Sequence, residues 1–470
     1  MQNAQFDQNT NTLFTRTQHN LYANEEHVGV QTLNRLFLYV LILFLLEGTL
    51  RKWLVPSLSN VLFFSKDPFV LYAYWIAFRY GLFPKDWLSR ISYIVFLVLF
   101  VYSFIQAFLN DINPIITLIG FRNYGLLIPL VILMKEYMSW QTIRTIGKII
   151  SWLAVPSAIL VYMQYVSPAS AFINRNVGVG GESGVFVVGE GVVRTSGFFS
   201  FNMGHAYFCI LCFMFFMINS FLPQEEKLVP KWYTWIFFLA CIANSAVSGS
   251  RANWAHVAMF FSFFLCTTMV FVNKVKTMKS VVYVIMGGLV GLLLLTTVFE
   301  RSLDLIAARQ KGAEENANEN FAERALAGFG KVFEPLTKGY KIYGEGLGMG
   351  SSSGKFFGSA SMGKKITYES EWPRVISEAG IVVGGFFLLF RLTMISYLIR
   401  SGMKIYSKTS NAIPLLFTGA IFWTLMYAQI SFNGASFYYG WFFSGIAFAS
   451  VRIYGEHVLH KRDVSKGMLL

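Results

Sequence analysis

Apolar stretches long enough to cross a bilayer recur along the chain, at 35–50, 67–83, 91–109, 113–134, 145–166, 198–222, 232–248, 253–272, 281–299, 375–399, 412–431 and 435–453. A helix needs about 20 mostly apolar residues to span a hydrocarbon core roughly 30 Å thick. The pattern therefore predicts an all-α polytopic membrane protein with about twelve transmembrane helices. Residues 1–34 open polar and Asn/Gln-rich (MQNAQFDQNTNTLFTRTQHN), too polar for the apolar region of a signal peptide. They read as a disordered cytoplasmic tail. Spans one to nine then occupy 35–299, a large loop 300–374, spans ten to twelve 375–453, and a basic tail 454–470.

Basic residues orient this threading. With the N-terminus inside, inner loops hold Lys85 and Arg90; Lys135, Arg144 and Lys148; Lys227 and Lys231; Lys274, Lys276 and Lys279; Arg400, Lys404 and Lys408; and Arg452, Lys461, Arg462 and Lys466. Outer loops hold fewer: Arg51, Lys52, Lys66, Arg175, Arg194 and Arg251. Lys and Arg gather on the cytoplasmic side, so both termini are expected there. Two long segments fall outside, the glycine-rich 167–197 and the charged 300–374, which carries amphipathic pieces (FERSLDLIAARQ and FAERALAGFGKVFEPL). One large loop among short ones points to a functional element.

Composition agrees. Of 470 residues only 14% are charged and 55% are hydrophobic, against roughly 25% charged in soluble chains. That excludes a soluble enzyme, a disordered chain and a disulfide scaffold. The net charge of +14 follows from inner-loop lysines and arginines and does not call for nucleic acid. Cys209, Cys212, Cys241 and Cys266 all lie in apolar stretches. The Cys209–Cys212 spacing lacks further ligands for a metal site, and no metal or cofactor is expected.

Charge at membrane depth needs a partner or a purpose. Arg194 (RTSGFFSFNMGHAYF) and Arg251 (NSAVSGSRANWAH) sit at outer helix ends among Ser, Gly and Asn. Snorkelling to headgroups is one reading. The other is a pocket for a diphosphate, because each guanidinium presents a planar fork to two oxygens. His205 and His256 follow nearby, as hydrogen-bonded helix histidines or as support for such a pocket. Gly346 and Gly348 belong to GEGLGMG (344–350), which lacks the Lys-Ser/Thr of a nucleotide loop. Where the large loop re-enters the membrane, Glu369, Glu371, Arg374 and Glu378 cluster. Glu371, Arg374 and Glu378 share a helix face, after a helix start favoured by Pro373. They form either an intrahelical ion pair or a site with a general base.

From about residue 35 to 450 the sequence resembles the O-antigen ligase and O-antigen/exopolysaccharide polymerase superfamily of bacterial envelope glycosyltransferases. The landmarks are LEGTLRKWLVP (46–56), Q-Y-x-S-P followed by I-N (164–174), RTSGFFSF, SGSRANW, GEGLGMG and the E-x-G-x-x-x-G of Glu378, Gly380 and Gly384. The resemblance implies a GT-C-like, metal-independent transferase in the bacterial inner membrane. It would use a polyprenyl-diphosphate-linked oligosaccharide as donor and a glycan as acceptor, in company with a repeat-unit flippase and a chain-length regulator. It maps diphosphate binding onto Arg194 and Arg251. Where the family commonly has a histidine, nine residues before the Glu of E-x-G, this chain has Glu369, so Glu369 or Glu371 would take the catalytic role. A ligase that transfers finished glycan to lipid A-core or protein shares this donor chemistry. A transporter is the alternative from another class, with Arg79 and Arg122 as its candidate intramembrane charges.

Overall fold

A computed structural model describes residues 2–177, 187, 188, 192–269, 328–352, 354, 366, 368 and 370–467; its side chains are described between 26 and 456, apart from those of 187, 188, 192, 251 and 252. Among these residues the chain is helical, save one two-residue antiparallel pairing of Val187–Val188 with Val192–Val193. Seven helical segments are long and apolar enough to cross a membrane. The expected span 281–299 and most of the large loop lie outside the described residues.

Helix α1 (Gln2–Thr49) leads into a π-helical turn, Leu50–Leu54. It starts well before residue 35, where the sequence reading expects a disordered tail. Over 26–34 packing accounts for the difference: Leu33 is buried, and Asn34 Nδ2 donates to Tyr137 O at 2.8 Å. After short helical turns come α2 (Asp67–Arg79) and α3 (Trp87–Asn110). Asp86 caps α3 by accepting from the amides of Leu88 and Ser89, which satisfies donors the first turn leaves open.

The stretch 113–134 becomes two helices, α4 (Pro114–Gly125) and α5 (Ile128–Tyr137). Pro129 lies in the first turn of α5; its ring cannot continue the preceding helix, and there its missing N–H costs nothing. Both helices are almost wholly buried. The chain continues through α6 (Trp140–Val166), α7 (Asn202–Phe221), α8 (Lys231–Ala246) and α9 (Arg251–Met269). The set closes with α10 (Glu371–Thr409), α11 (Ile413–Met426) and α12 (Gly434–Gly467). Helix α12 continues to Gly467, so its helix runs through most of the expected tail at 454–470.

The outward faces carry large exposed apolar side chains, among them Phe78, Phe108 and Trp235, as lipid-facing helices require. Contacts sort the helix ends onto two faces. One face gathers Lys135, which pairs with Asp86 at 2.8 Å, and Arg452, which donates to the carbonyls of Lys135 and Met138. Arg144 joins it through Glu225 O. These are residues the positive-inside pattern assigns to one side. The opposite face gathers the end of α1 and the starts of α7, α10 and α12.

Candidate functional site

On that opposite face, two stretches far apart in sequence lie against each other. Helix α1 crosses the turn at 197–200 so closely that a Cβ on Gly48 would lie 2.3 Å from Phe198 O. Lys52 Nζ then reaches Ser196 Oγ (3.0 Å) and Gly197 O (2.5 Å). Gln164 fixes the same turn, accepting from the amides of Ser196 and Gly197 at 3.2 and 2.9 Å. LEGTLRKW and RTSG thus build one unit.

A chain of buried charge runs outward from it. Arg51 pairs with Glu47 at 2.8 Å and donates to Ser59 Oγ at 3.0 Å. Glu47 also pairs with Lys66, whose ammonium sits 4.6 Å from the Tyr438 ring centroid. The Tyr438 hydroxyl donates to Asp67, and Asp67 pairs with Arg122 at 2.6 Å. Arg122 itself lies over the rings of Phe63 and Phe64. Among the described residues, Arg51, Lys66 and Arg122 therefore share two carboxylates, Glu47 and Asp67, and Lys52 is a fourth buried cation beside them. Lys52 is fully buried; its ammonium meets the neutral oxygens of Ser196 and Gly197 and the Trp53 ring, 4.2 Å from the centroid. Burying a charge without an opposite one costs several kcal/mol.

Arg194 and the turn before Arg251 join this neighbourhood. A Cβ on Gly249 would meet the Arg194 Cα at 3.6 Å, and Thr195 Oγ1 donates to Val247 O at 3.2 Å. Arg251 is the first residue of α9; its side chain lies outside the described residues. His205 is buried, with Nε2 3.0 Å from Asn244 O, and its Nδ1 faces Gly197. His256 is buried beside the Tyr207 ring, centroids 5.9 Å apart.

A second cluster is neutral. Helix α10 is broken at Gly380 (φ 73°, ψ 175°), and its two arms fold together. Arg391 Nη1 lies 3.0 Å from Glu371 Oε1, whereas twenty residues of straight helix would separate them by about 30 Å. Arg374 pairs with Glu371 and reaches Glu378 Oε1 at 3.5 Å, so the shared helix face read from the sequence is an intrahelical ion-pair network. Ser431 donates its amide and hydroxyl to Glu371 Oε1. Glu378 accepts from the Tyr124 hydroxyl (3.0 Å) and from the amides of Gly348 (2.8 Å) and Gly350 (3.1 Å). Gly346 N donates to Glu378 O at 3.0 Å. The glycine tract thus cradles this chain's own carboxylate; at Gly348 the φ of 83° suits a residue without Cβ.

Helix α4 joins the two clusters, giving Arg122 to one and Tyr124 to the other. Glu369 lies outside the described residues. Burial, with Glu334 and Tyr340 nearby, pushes the phenol of its neighbour Tyr368 up to about 12. Arg79 is at the basic face, over Trp75 and Tyr80.

Sequence reasoning placed Arg51, Lys52 and Lys66 in outer loops, held Glu47, Arg51 and Lys52 only as part of the LEGTLRKWLVP landmark with no role for any of them, and passed over Asp67 and Arg391. The available signal was charge within apolar runs, as in LFLLEGTL and FFLLFRLT. The fold and these apolar helices define a multi-pass α-helical membrane protein. No family model, no curated protein and no solved structure matches the chain.

Proposed function

We propose that the chain is a membrane-embedded, GT-C-like glycosyltransferase of the bacterial inner membrane, polymerising polyprenyl-diphosphate-linked repeat units into an exopolysaccharide or O-antigen-like glycan on the outer face. The observation that carries this reading is the buried cation excess around Lys52, built from the same LEGTLRKW and RTSG stretches that bear the family resemblance. A diphosphate supplies the anionic charge that Glu47 and Asp67 leave unmet.

In the reaction, a hydroxyl oxygen of the acceptor sugar attacks the anomeric carbon of the donor. The bond from that carbon to the diphosphate oxygen breaks, the hydroxyl proton passes to a carboxylate, and polyprenyl diphosphate leaves. The donor bond is already activated, so the protein's main task is to stabilise charge growing on the leaving group, with cations fixed beforehand. Arg194 and Arg251 bind the diphosphate, and Arg51 and Lys52 add buried positive charge to the same stretch of the fold. For the base, Glu371 has both oxygens committed to arginines and Ser431, which favours Glu369.

The test is chain growth by purified protein on a lipid-diphosphate oligosaccharide, with release of polyprenyl diphosphate measured alongside. Arg194→Ala and Arg251→Ala should each lower the rate about a hundredfold, the cost of one preset donor at roughly 3 kcal/mol. Unchanged growth in both variants removes the diphosphate pocket. In cells, loss of a polymerase leaves single lipid-linked repeats, whereas loss of a ligase leaves full-length lipid-linked chains.

A further inference from the structure

At the basic face, between α5, the second arm of α10 and α12, lies an open cleft of about 440 Å³. Its walls change character with depth. Tyr397 and Phe448 lie deepest along their helices, Ile405 and Val451 lie level with Lys404 and Arg452, and Lys408, Lys135, Glu136 and Glu456 stand toward the helix ends. Tyr397 and Lys408 are eleven residues apart on one helix, so the cleft reaches about 16 Å from its cationic mouth into the apolar layer.

Two of the four cations are committed. Lys135 pairs with Asp86 and Glu136, and Arg452 is held by the carbonyls of Lys135 and Met138 and by Glu456. Lys404 and Lys408 have no carboxylate within ion-pair distance among the described residues. They sit one turn apart on the same face, where like charges repel.

We infer that this cleft binds an anionic phospholipid, with the phosphate between Lys404 and Lys408 and an acyl chain laid along Tyr397 and Phe448. A cationic mouth over an apolar floor is complementary to a charged headgroup with a hydrocarbon tail, and basic pockets between spanning helices recognise such headgroups. The site is separate from the diphosphate pocket at the other face and does not depend on it.

Native mass spectrometry of the full-length protein tests this, with phosphatidylglycerol, phosphatidylcholine and glycerol 3-phosphate as probes. The wild type should retain phosphatidylglycerol over phosphatidylcholine, undisturbed by excess glycerol 3-phosphate. The double variant Lys404→Gln, Lys408→Gln should bind phosphatidylglycerol about thirtyfold more weakly, for two charges removed near the membrane surface. Gly455→Trp should abolish binding by filling the cleft, since Gly455 lines it and a Cβ there meets nothing within 4 Å. Both lysines are exposed, so the bundle survives their replacement, and the melting temperature of Gly455→Trp, expected to match the wild type, separates a filled cleft from a misfolded chain. Equal retention of phosphatidylcholine, displacement by glycerol 3-phosphate, or wild-type affinity in either variant overturns the proposal.

Discussion

Gly380 carries the fold-back that brings Arg391 to Glu371, so replacing it with alanine should be severe. Its dihedrals lie where only glycine is comfortable, and holding another residue there costs about 1–3 kcal/mol. The new Cβ would also lie 2.4 Å from Ile342 O and 2.6 Å from Tyr343 C. These are backbone atoms, so no rotamer change relieves the overlap. The 342–346 segment must withdraw, and with it go the hydrogen bonds Ile381 N to Ile342 O, Gly346 N to Glu378 O and Glu345 N to Ser377 O. At about 1 kcal/mol net for each bond, the total reaches about 4–6 kcal/mol, in the range reserved for drastic substitutions. Gly385 is the internal control. It is helical, and a Cβ there meets nothing within 4 Å, so Gly385→Ala should stabilise by roughly 0.5–1 kcal/mol. Thermal unfolding of detergent-solubilised fluorescent fusions, followed by size exclusion, reads both. The reasoning is refuted if Gly380→Ala melts with the wild type, or if the two alanines shift stability in the same direction.

Three other substitutions probe separate parts of the molecule. Arg391→Met should destabilise by about 3–5 kcal/mol because it strands Glu371 in the interior; combined with Glu371→Gln the losses should fall well short of additive, and a cycle that closes within about 0.5 kcal/mol denies the pair. Asp86→Ala should cost about 1 kcal/mol through the lost cap. Burial raises the Asp86 carboxyl pKa, but Lys135 and Ser89 outweigh it and hold the group below its usual value. Its contribution is thus complete above pH ~4 and fades as pH falls through the depressed value, so the gap between wild type and variant should close in acid; a gap that widens there contradicts the assignment. In the chain-growth assay Glu369→Gln should be inactive and Glu369→His partly active, and full activity of the Gln variant moves the base elsewhere.

What the sequence could and could not disclose follows from the range of the interactions involved. Spans such as α3 and α6 were legible because the bilayer imposes the same apolar requirement on every residue of a lipid-facing helix. Polar relations within one helical turn were legible too: Glu371, Arg374 and Glu378 meet at the spacing that backbone geometry fixes. The break of 113–134 was marked locally by Pro129. The contacts of Lys52 with Ser196 and Gly197 were not legible, since 144 and 145 residues separate the partners and no local pattern joins them. Nor was the fold-back at Gly380, which is set by the glycine tract arriving from the large loop.

The same distinction separates the two charge clusters by how far their charges are matched. In the cluster on α10, each guanidinium meets a carboxylate, Ser431, Tyr124 and glycine amides donate to the carboxylate oxygens, and Arg374 Nε alone of the network is left buried without a partner. A network matched in charge in this way rigidifies the fold. Around Lys52, among the described residues, the cations outnumber the carboxylates, and the most deeply buried ammonium leans on a hydroxyl, a carbonyl and the Trp53 ring. The function proposed above would close that balance with a substrate anion. On that proposal a diphosphate arriving on a lipid supplies the missing charge, and leaves again when its glycan has been transferred.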